Sequence, residues 1–192
     1  MAMTLDGTSG ITQMTGSIVM SGSTSGTTTI IPSAVAGTTT VTMPSATGTM
    51  MVSGNMPAFS AYASTNQTVS DATITKITFD TEEFDTNNNF ASSRFTPTVA
   101  GYYQVNAVIN FSQTLITDCV TWIFKNGGQY KRGFGFAGSG QSKFIAPITT
   151  LVYLNGSTDY VEVYLYSDGT GNVSVNGSSQ DVWFNGSLVR GA

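Results

Sequence analysis

The sequence contains no histidine, a single cysteine and very little charge: seven Lys or Arg and eleven Asp or Glu in 192 residues, 9% of the chain. Without histidine there is no Ser-His-Asp or Cys-His nucleophile system, no imidazole base and almost none of the usual catalytic zinc or copper sites. One cysteine, Cys119, cannot close an intramolecular disulfide, so a cystine framework is excluded as a source of stability. The charge content lies far below the roughly one quarter usual for globular proteins, and helix faces built on Glu and Lys are correspondingly scarce. Seven scattered cations in a chain of net charge −4 do not make the concentrated positive surface that phosphate backbones need, so no nucleic-acid partner is expected. No apolar run approaches the ~20 residues of a membrane span. Residues 1–20 lack the basic start and continuous apolar stretch of a secretory signal. Neither membrane insertion nor a cofactor is expected.

What is present is unevenly shared. Residues 1–57 hold all eight methionines and one charge, Asp6, but no Phe, Tyr or Trp; every aromatic and every other charge follows, beginning at Phe59. Aromatics supply much of the buried area of a small domain. Residues 58–192 can therefore form a core alone, and residues 1–57 cannot. The first stretch is nonetheless rich in Thr, Val and Ile, unlike an ordinary disordered tail. Three β-prone runs stand out: Thr27–Ile31, Thr38–Met43 and Thr49–Val52. Two Pro-Ser-Ala segments, at Pro32 and Pro44, punctuate them. Short strands without a core need a neighbour, so the expectation is an extended attachment arm over 1–57 that pairs with sister chains or a larger assembly. A flexible Gly/Ser/Thr linker is the other reading of the same composition.

Residues 58–192 alternate with a period of two. Tyr103, Val105, Ala107, Ile109 and Phe111 are apolar with polar Gln104, Asn106 and Asn110 between them, the pattern of a strand with one buried face. Val120, Trp122 and Phe124 alternate with Thr121, Ile123 and Lys125, and the first set is assigned to the core. Asn126-Gly127 predicts a type I′ hairpin turn. Lys143–Leu154, Val161–Leu165 and Val182–Val189 complete a series of strands with no helical stretch between them. The class is all-β, an antiparallel sandwich.

Several landmarks occur in a particular order: Phe59-Ser60-Ala61, Ile77-Thr78-Phe79-Asp80, Phe84-Asp85, then Phe95-Thr96-Pro97 leading into Ala100-Gly101-Tyr102-Tyr103-Gln104-Val105. Ile123-Phe124-Lys125-Asn126-Gly127, Val161-Glu162-Val163 and Phe184-Asn185-Gly186-Ser187-Leu188 follow. Over about residues 58–190 this order resembles the globular head of complement C1q and the C1q/tumour-necrosis-factor-like superfamily. The resemblance implies a ten-stranded jelly roll that assembles as a homotrimer, with Tyr103 and Phe184 filling the sandwich and Gly186 at a close approach in the last strand. A collagen-like Gly-X-Y stalk is missing from residues 1–57, so complement-type biology is not implied. The leader beginning Thr4-Leu5-Asp6-Gly7 resembles those of bacteriophage tail-fibre and virion surface proteins.

Candidate sites are few. Asp80, Glu82, Glu83 and Asp85 form the one dense acidic cluster; read as a loop, it is a weak calcium candidate beside the commoner reading of a solvated loop. Lys125, Lys131, Arg132 and Lys143 could gather at one end and meet an anionic glycan, with scattered solvation as the alternative. Tyr160, Tyr164 and Tyr166 share an outward strand face; with Tyr102 and Val108 they are assigned to the trimer interface. Ile30, Ile31, Val41, Met43 and Val52 are assigned to particle attachment. No catalytic constellation is visible, so no enzyme is expected. Together these readings predict a virion structural protein made in a host cytoplasm: a homotrimeric capsid decoration protein whose arm binds the major capsid protein or another virion subunit. The alternative is a short tail fibre or tailspike tip that binds a host surface glycan.

Overall fold

A computed structural model describes residues 18–31, 40–42, 45, 47–48, 50–112, 116–135 and 143–192. The chain divides into two units at Thr47/Gly48. The described part of the first holds one antiparallel hairpin, β1 (Ile18–Ser21) and β2 (Thr27–Ile30), in register from Ile18↔Ile30 to Ser21↔Thr27. Every residue of both strands is exposed. β2 matches the first β-prone run. The other two runs differ from expectation: residues 40–42 are not strand, and 50–52 lead into a 3-10 turn at Ser53–Asn55. Thr and Val favour a pleated surface only where another strand offers hydrogen bonds, and no such partner pairs with these residues.

The second unit is a two-sheet sandwich. Its strands in chain order are β3 (Ala58–Tyr62), β4 (Gln67–Val69), β5 (Thr75–Lys76), β6 (Thr81–Asp85), β7 (Phe90–Ala91) and β8 (Arg94–Phe95). They continue as β9 (Gly101–Ser112), β10 (Ile116–Lys125), β11 (Gly128–Phe134), β12 (Lys143–Leu154), β13 (Val161–Gly169), β14 (Val173–Val175) and β15 (Val182–Gly191). One sheet runs β12-β9-β15-β3-β6, with β14 and β4 added beside the end of β9. The other runs β11-β10-β13-β8-β7, with β5 also on β13. All pairings are antiparallel, so the expected all-β jelly-roll sandwich is the observed architecture. Residues 50–57 run against this unit: Asn87 Nδ2 donates to Gly54 O at 3.1 Å, and the Leu188 N–H to Pro57 O at 2.9 Å.

The central strand β9 buries Tyr103, Val105, Ala107, Ile109 and Phe111, as its alternation requires. Phe184 meets Phe59 edge-on at 4.8 Å, and Phe59 stacks on Phe95 at 4.2 Å. Gly186 sits where a Cβ would press on Gln104 O and the Phe59 ring, which explains glycine inside a strand. Asn126 and Gly127, both at positive φ, form the expected turn between β10 and β11.

The facing of β10 is opposite to the sequence assignment. Cys119, Thr121 and Ile123 point into the sandwich, and Thr121 Oγ1 donates to Ala146 O of the facing sheet at 2.9 Å. Val120, Trp122 and Phe124 lie on the outer face. Their hydrophobicity is met there by other rings and cations: Phe124 stacks on Tyr164 at 4.0 Å, and the Arg132 guanidinium lies 5.6 Å from the Trp122 ring.

Candidate functional site

The two sheets present outer faces of different chemistry. On the first, alternation turns one side of β12, β9, β15 and β3 outward. From Ile145 to Tyr153 on β12, along β9 and β3, and up to Ser187 on β15, no outward residue is charged. The cross-strand register lines up Thr149, Asn106, Asn185 and Ser60 in one row. Gln104 Nε2 donates to Thr149 Oγ1 at 2.7 Å, Thr149 Oγ1 to Asn106 Oδ1 at 2.6 Å, and Asn106 Nδ2 to Asn185 Oδ1 at 2.9 Å. Gln104, Thr149, Asn106 and Asn185 are thus linked to one another by neutral hydrogen bonds, while Ser60 at the end of the row donates to Glu83 of β6 at 2.6 Å; covering neutral groups of this kind costs less than covering charges.

Apolar groups flank the polar row. On one side Val108, Pro147 and Trp183 border a hollow of about 300 Å³. Proline is tolerated at position 147 because β12 is an edge strand, paired only with β9. On the other side Tyr102 and Tyr153 pack with ring centroids 5.4 Å apart beside Leu151, which is 50% exposed. Beyond β3 a second hollow, about 230 Å³, is lined by Ser60, Phe84 and Asn185.

The outer face of the second sheet carries cations laid on rings. Arg94 lies 3.9 Å from the Tyr160 ring centroid, and Arg132 covers Trp122 and Phe134. At its centre is Glu162, only 2% exposed, whose Oε1 accepts Lys76 Nζ at 2.7 Å and Arg94 Nε at 3.0 Å. Burial would raise the Glu162 pKa; the hydrogen bonds and charges of Lys76 and Arg94 outweigh it and hold the carboxyl below its ordinary value. Burial and the neighbouring Glu162 raise the Tyr164 phenol.

The structure therefore divides the five residues assigned to an interface. Tyr102 and Val108 lie on the uncharged face; Tyr160, Tyr164 and Tyr166 lie on the opposite side of the sandwich. Alternation along one strand shows which residues share its face, but not which of two sheets that strand joins. Ile145, Pro147, Leu151, Tyr153 and Trp183 share the uncharged face with Tyr102 and Val108, and the 145–153 alternation was a usable signal for it.

Glu82, Glu83 and Asp85 of the acidic cluster lie on the edge strand β6 rather than on a loop, with Asp80 just before it, and three of the four have separate partners. Asp80 accepts the Ser64 N–H at 2.7 Å, and that bond leads in holding its carboxyl low. Asp85 accepts the Phe90 N–H at 2.6 Å, and Ser60 Oγ donates to Glu83. Glu82 is exposed. Among the described residues no three His, Cys, Asp or Glu side chains come together as a metal site. Of the cations, Lys125 pairs with Asp159 at 2.9 Å, Lys131 and Arg132 lie along β11, and the Lys143 side chain falls outside the described residues. Cys119 is buried, and that burial pushes its thiol up to about 12, away from the thiolate form. Of the attachment residues, Ile30, Ile31, Val41 and Val52 are exposed; Met43 lies outside the described residues.

No family model and no curated protein matches the chain. Solved structures do match its fold. Murine APRIL at pH 5.0 superposes with a TM-score of 0.54 at 8% identity, over 70% of this chain and 99% of that one. The globular domain of zebrafish complement 1qA protein gives 0.52 at 19% identity, covering 71% and 98%. Eiger TNF from S. frugiperda gives 0.51 at 11% identity, covering 71% and 93%. The fold is the C1q/TNF-like jelly roll.

Proposed function

We propose that the chain is a non-enzymatic structural protein that self-associates as a homotrimer through the uncharged face and displays the other. One observation carries this: a broad sheet face across β12, β9, β15 and β3 without an outward charged residue, its central amides and hydroxyl linked by neutral hydrogen bonds and its flanks apolar. The cores of interfaces between like subunits are depleted of charge, and the exposed apolar groups on both flanks are of the kind that such interfaces cover. The C1q/TNF-like resemblance supplies the number three. The face and its hollows meet a different patch of the next copy, and a threefold rotation closes such contacts into a ring.

The N-terminal unit is the attachment element in this reading. A lone two-stranded hairpin is marginally stable in water. β1 and β2 expose Ile18, Val19, Met20 and Ile30 and carry no charge, which suits pairing with a strand of a larger assembly. The leader's resemblance to phage surface proteins names that assembly as a virion, with the chain as a capsid decoration protein. A tail-fibre tip is the second reading, favoured by the cation-on-ring surface that the opposite face presents. Quantifying the chain per purified particle tests both. Hundreds of copies support decoration; about 6 to 36 support a tail fibre, because symmetric attachment fixes the number of subunits. Absence from purified particles overturns the virion setting.

A further inference from the structure

Two non-glycine residues with left-handed backbone line one hollow, Asn88 at φ 55° and Ser92 at φ 52°, and a third, Ser93 at φ 57°, follows Ser92 in the same turn. Left-handed pairs in tight hairpins ordinarily call for Asn-Gly, and the Ser-Ser turn between β7 and β8 is held by its surroundings instead. Ser93 Oγ accepts the Phe79 N–H at 2.8 Å, and Lys76 Nζ donates to Ser92 O at 2.9 Å. Asn89, 5% exposed, ties the other rim: its Oδ1 accepts the Thr98 N–H, and its Nδ2 donates to Asn87 O. Between the rims is a hollow of about 400 Å³ lined by Asn88, Ser92, Arg94 and Thr96.

Arg94 is the one charged group in that lining, and it is fixed from two directions. Tyr160 supports the guanidinium plane at 3.9 Å, and Glu162 takes Nε at 3.0 Å. That contact uses one edge of the guanidinium and leaves its terminal pair of nitrogens for a second acceptor. The local charge is also incomplete. Two cations, Lys76 and Arg94, share the single carboxylate of Glu162, so the group carries one net positive charge. A monoanion completes it.

We propose that this hollow binds a carboxylated monosaccharide unit, its carboxylate on Arg94 and its hydroxyls on Asn88, Ser92 and Thr96. The hollow is far larger than an inorganic oxyanion. Its remaining polar groups are neutral amides and hydroxyls, suited to sugar hydroxyls, and carbon surface shares the lining with them, as the mixed hydroxyl and C–H faces of a sugar require. The site lies within one chain, so it does not depend on the homotrimer proposed above.

Titrating the full chain with D-glucuronate, D-glucose and acetate, followed by amide NMR shifts, tests the proposal. Glucuronate is expected to saturate shifts at Ser92, Arg94 and Thr96 in the millimolar range, at least tenfold more tightly than glucose or acetate. Asn88→Gly keeps the left-handed backbone while removing the amide, and should weaken binding about threefold. Arg94→Gln should abolish it; should that variant unfold, Arg94→Lys keeps the charge beside Glu162, loses the fork, and should weaken binding at least tenfold. Equal affinity for glucose makes Arg94 irrelevant and overturns the proposal. Equal affinity for acetate reduces the hollow to an anion site, and no saturable shift leaves no site at all; both overturn it.

Discussion

On one outer face of the sandwich polar side chains bond to each other, Gln104 to Thr149 to Asn106 to Asn185, between patches of exposed apolar groups. On the other face cations lie over rings, and a buried glutamate is shared by Lys76 and Arg94. Both are antiparallel sheets with the same pleat, packed on the same core. The difference lies in what each can do without water. The first turns only neutral groups outward, several of them bonded to one another, and so costs less to cover, whereas the second keeps Arg132 and half of Arg94 in contact with solvent and would lose that hydration. Charge placement thus separates a face that the proposed trimer would cover from one that it would display.

A charge placed on the hidden face should have the largest effect. Val108→Asp sets a carboxylate beside Pro147 and Trp183, and an unpaired buried charge costs about 3–5 kcal/mol. Dissociation to monomers without loss of the β circular dichroism spectrum is the expected outcome. Next, Phe184→Ala should destabilise by about 3–5 kcal/mol, as a fully buried ring does, whereas Trp122→Ala on the displayed face should cost about 1–2 kcal/mol. Equal losses in thermal melts would mean that Trp122 is covered in the assembly, which would break the comparison.

Glu162→Gln ranks third, at about 1–2 kcal/mol, the scale of hydrogen bonds to a charged group. Its pH signature is more specific than its size. The folded carboxyl titrates below its unfolded value, so its contribution is complete above about pH 4.3 and fades as the pH falls from there through the folded value. Melts of the native chain and of Glu162→Gln should converge in that acid window. The smallest effect belongs to Tyr166→Ser, expected to leave the molecular mass unchanged and stability within about 0.5 kcal/mol. Loss of the oligomer in that variant would put the interface on the wrong sheet.

Much of the sandwich was legible because single strands carry their own evidence. Tyr103 to Phe111 declared one buried face by alternation, and Asn126-Gly127 declared its turn. β10 was misread because both of its faces are apolar, and Trp122 outweighed Ile123 by size alone. The structure resolves it through contacts at long range: Arg132 and Tyr164 cover the outward rings, and Ala146 accepts the Thr121 hydroxyl. The uncharged face was half legible for the same reason. Tyr102 and Val108 share a strand, but their union with Trp183 and Leu151 depends on which strands flank β9. The Arg94 hollow is lined from the single stretch 88–96, but nothing in that stretch shows that Lys76 and Glu162, 86 positions apart, fix Arg94.

The central claim is that the uncharged face joins copies of this chain. Sedimentation equilibrium or light scattering of the full chain at micromolar concentration measures it directly. The account predicts a mass about three times the 20.2 kDa of one chain, unchanged by added salt because no charge pair holds the face together. A mass of one chain under the same conditions would contradict it.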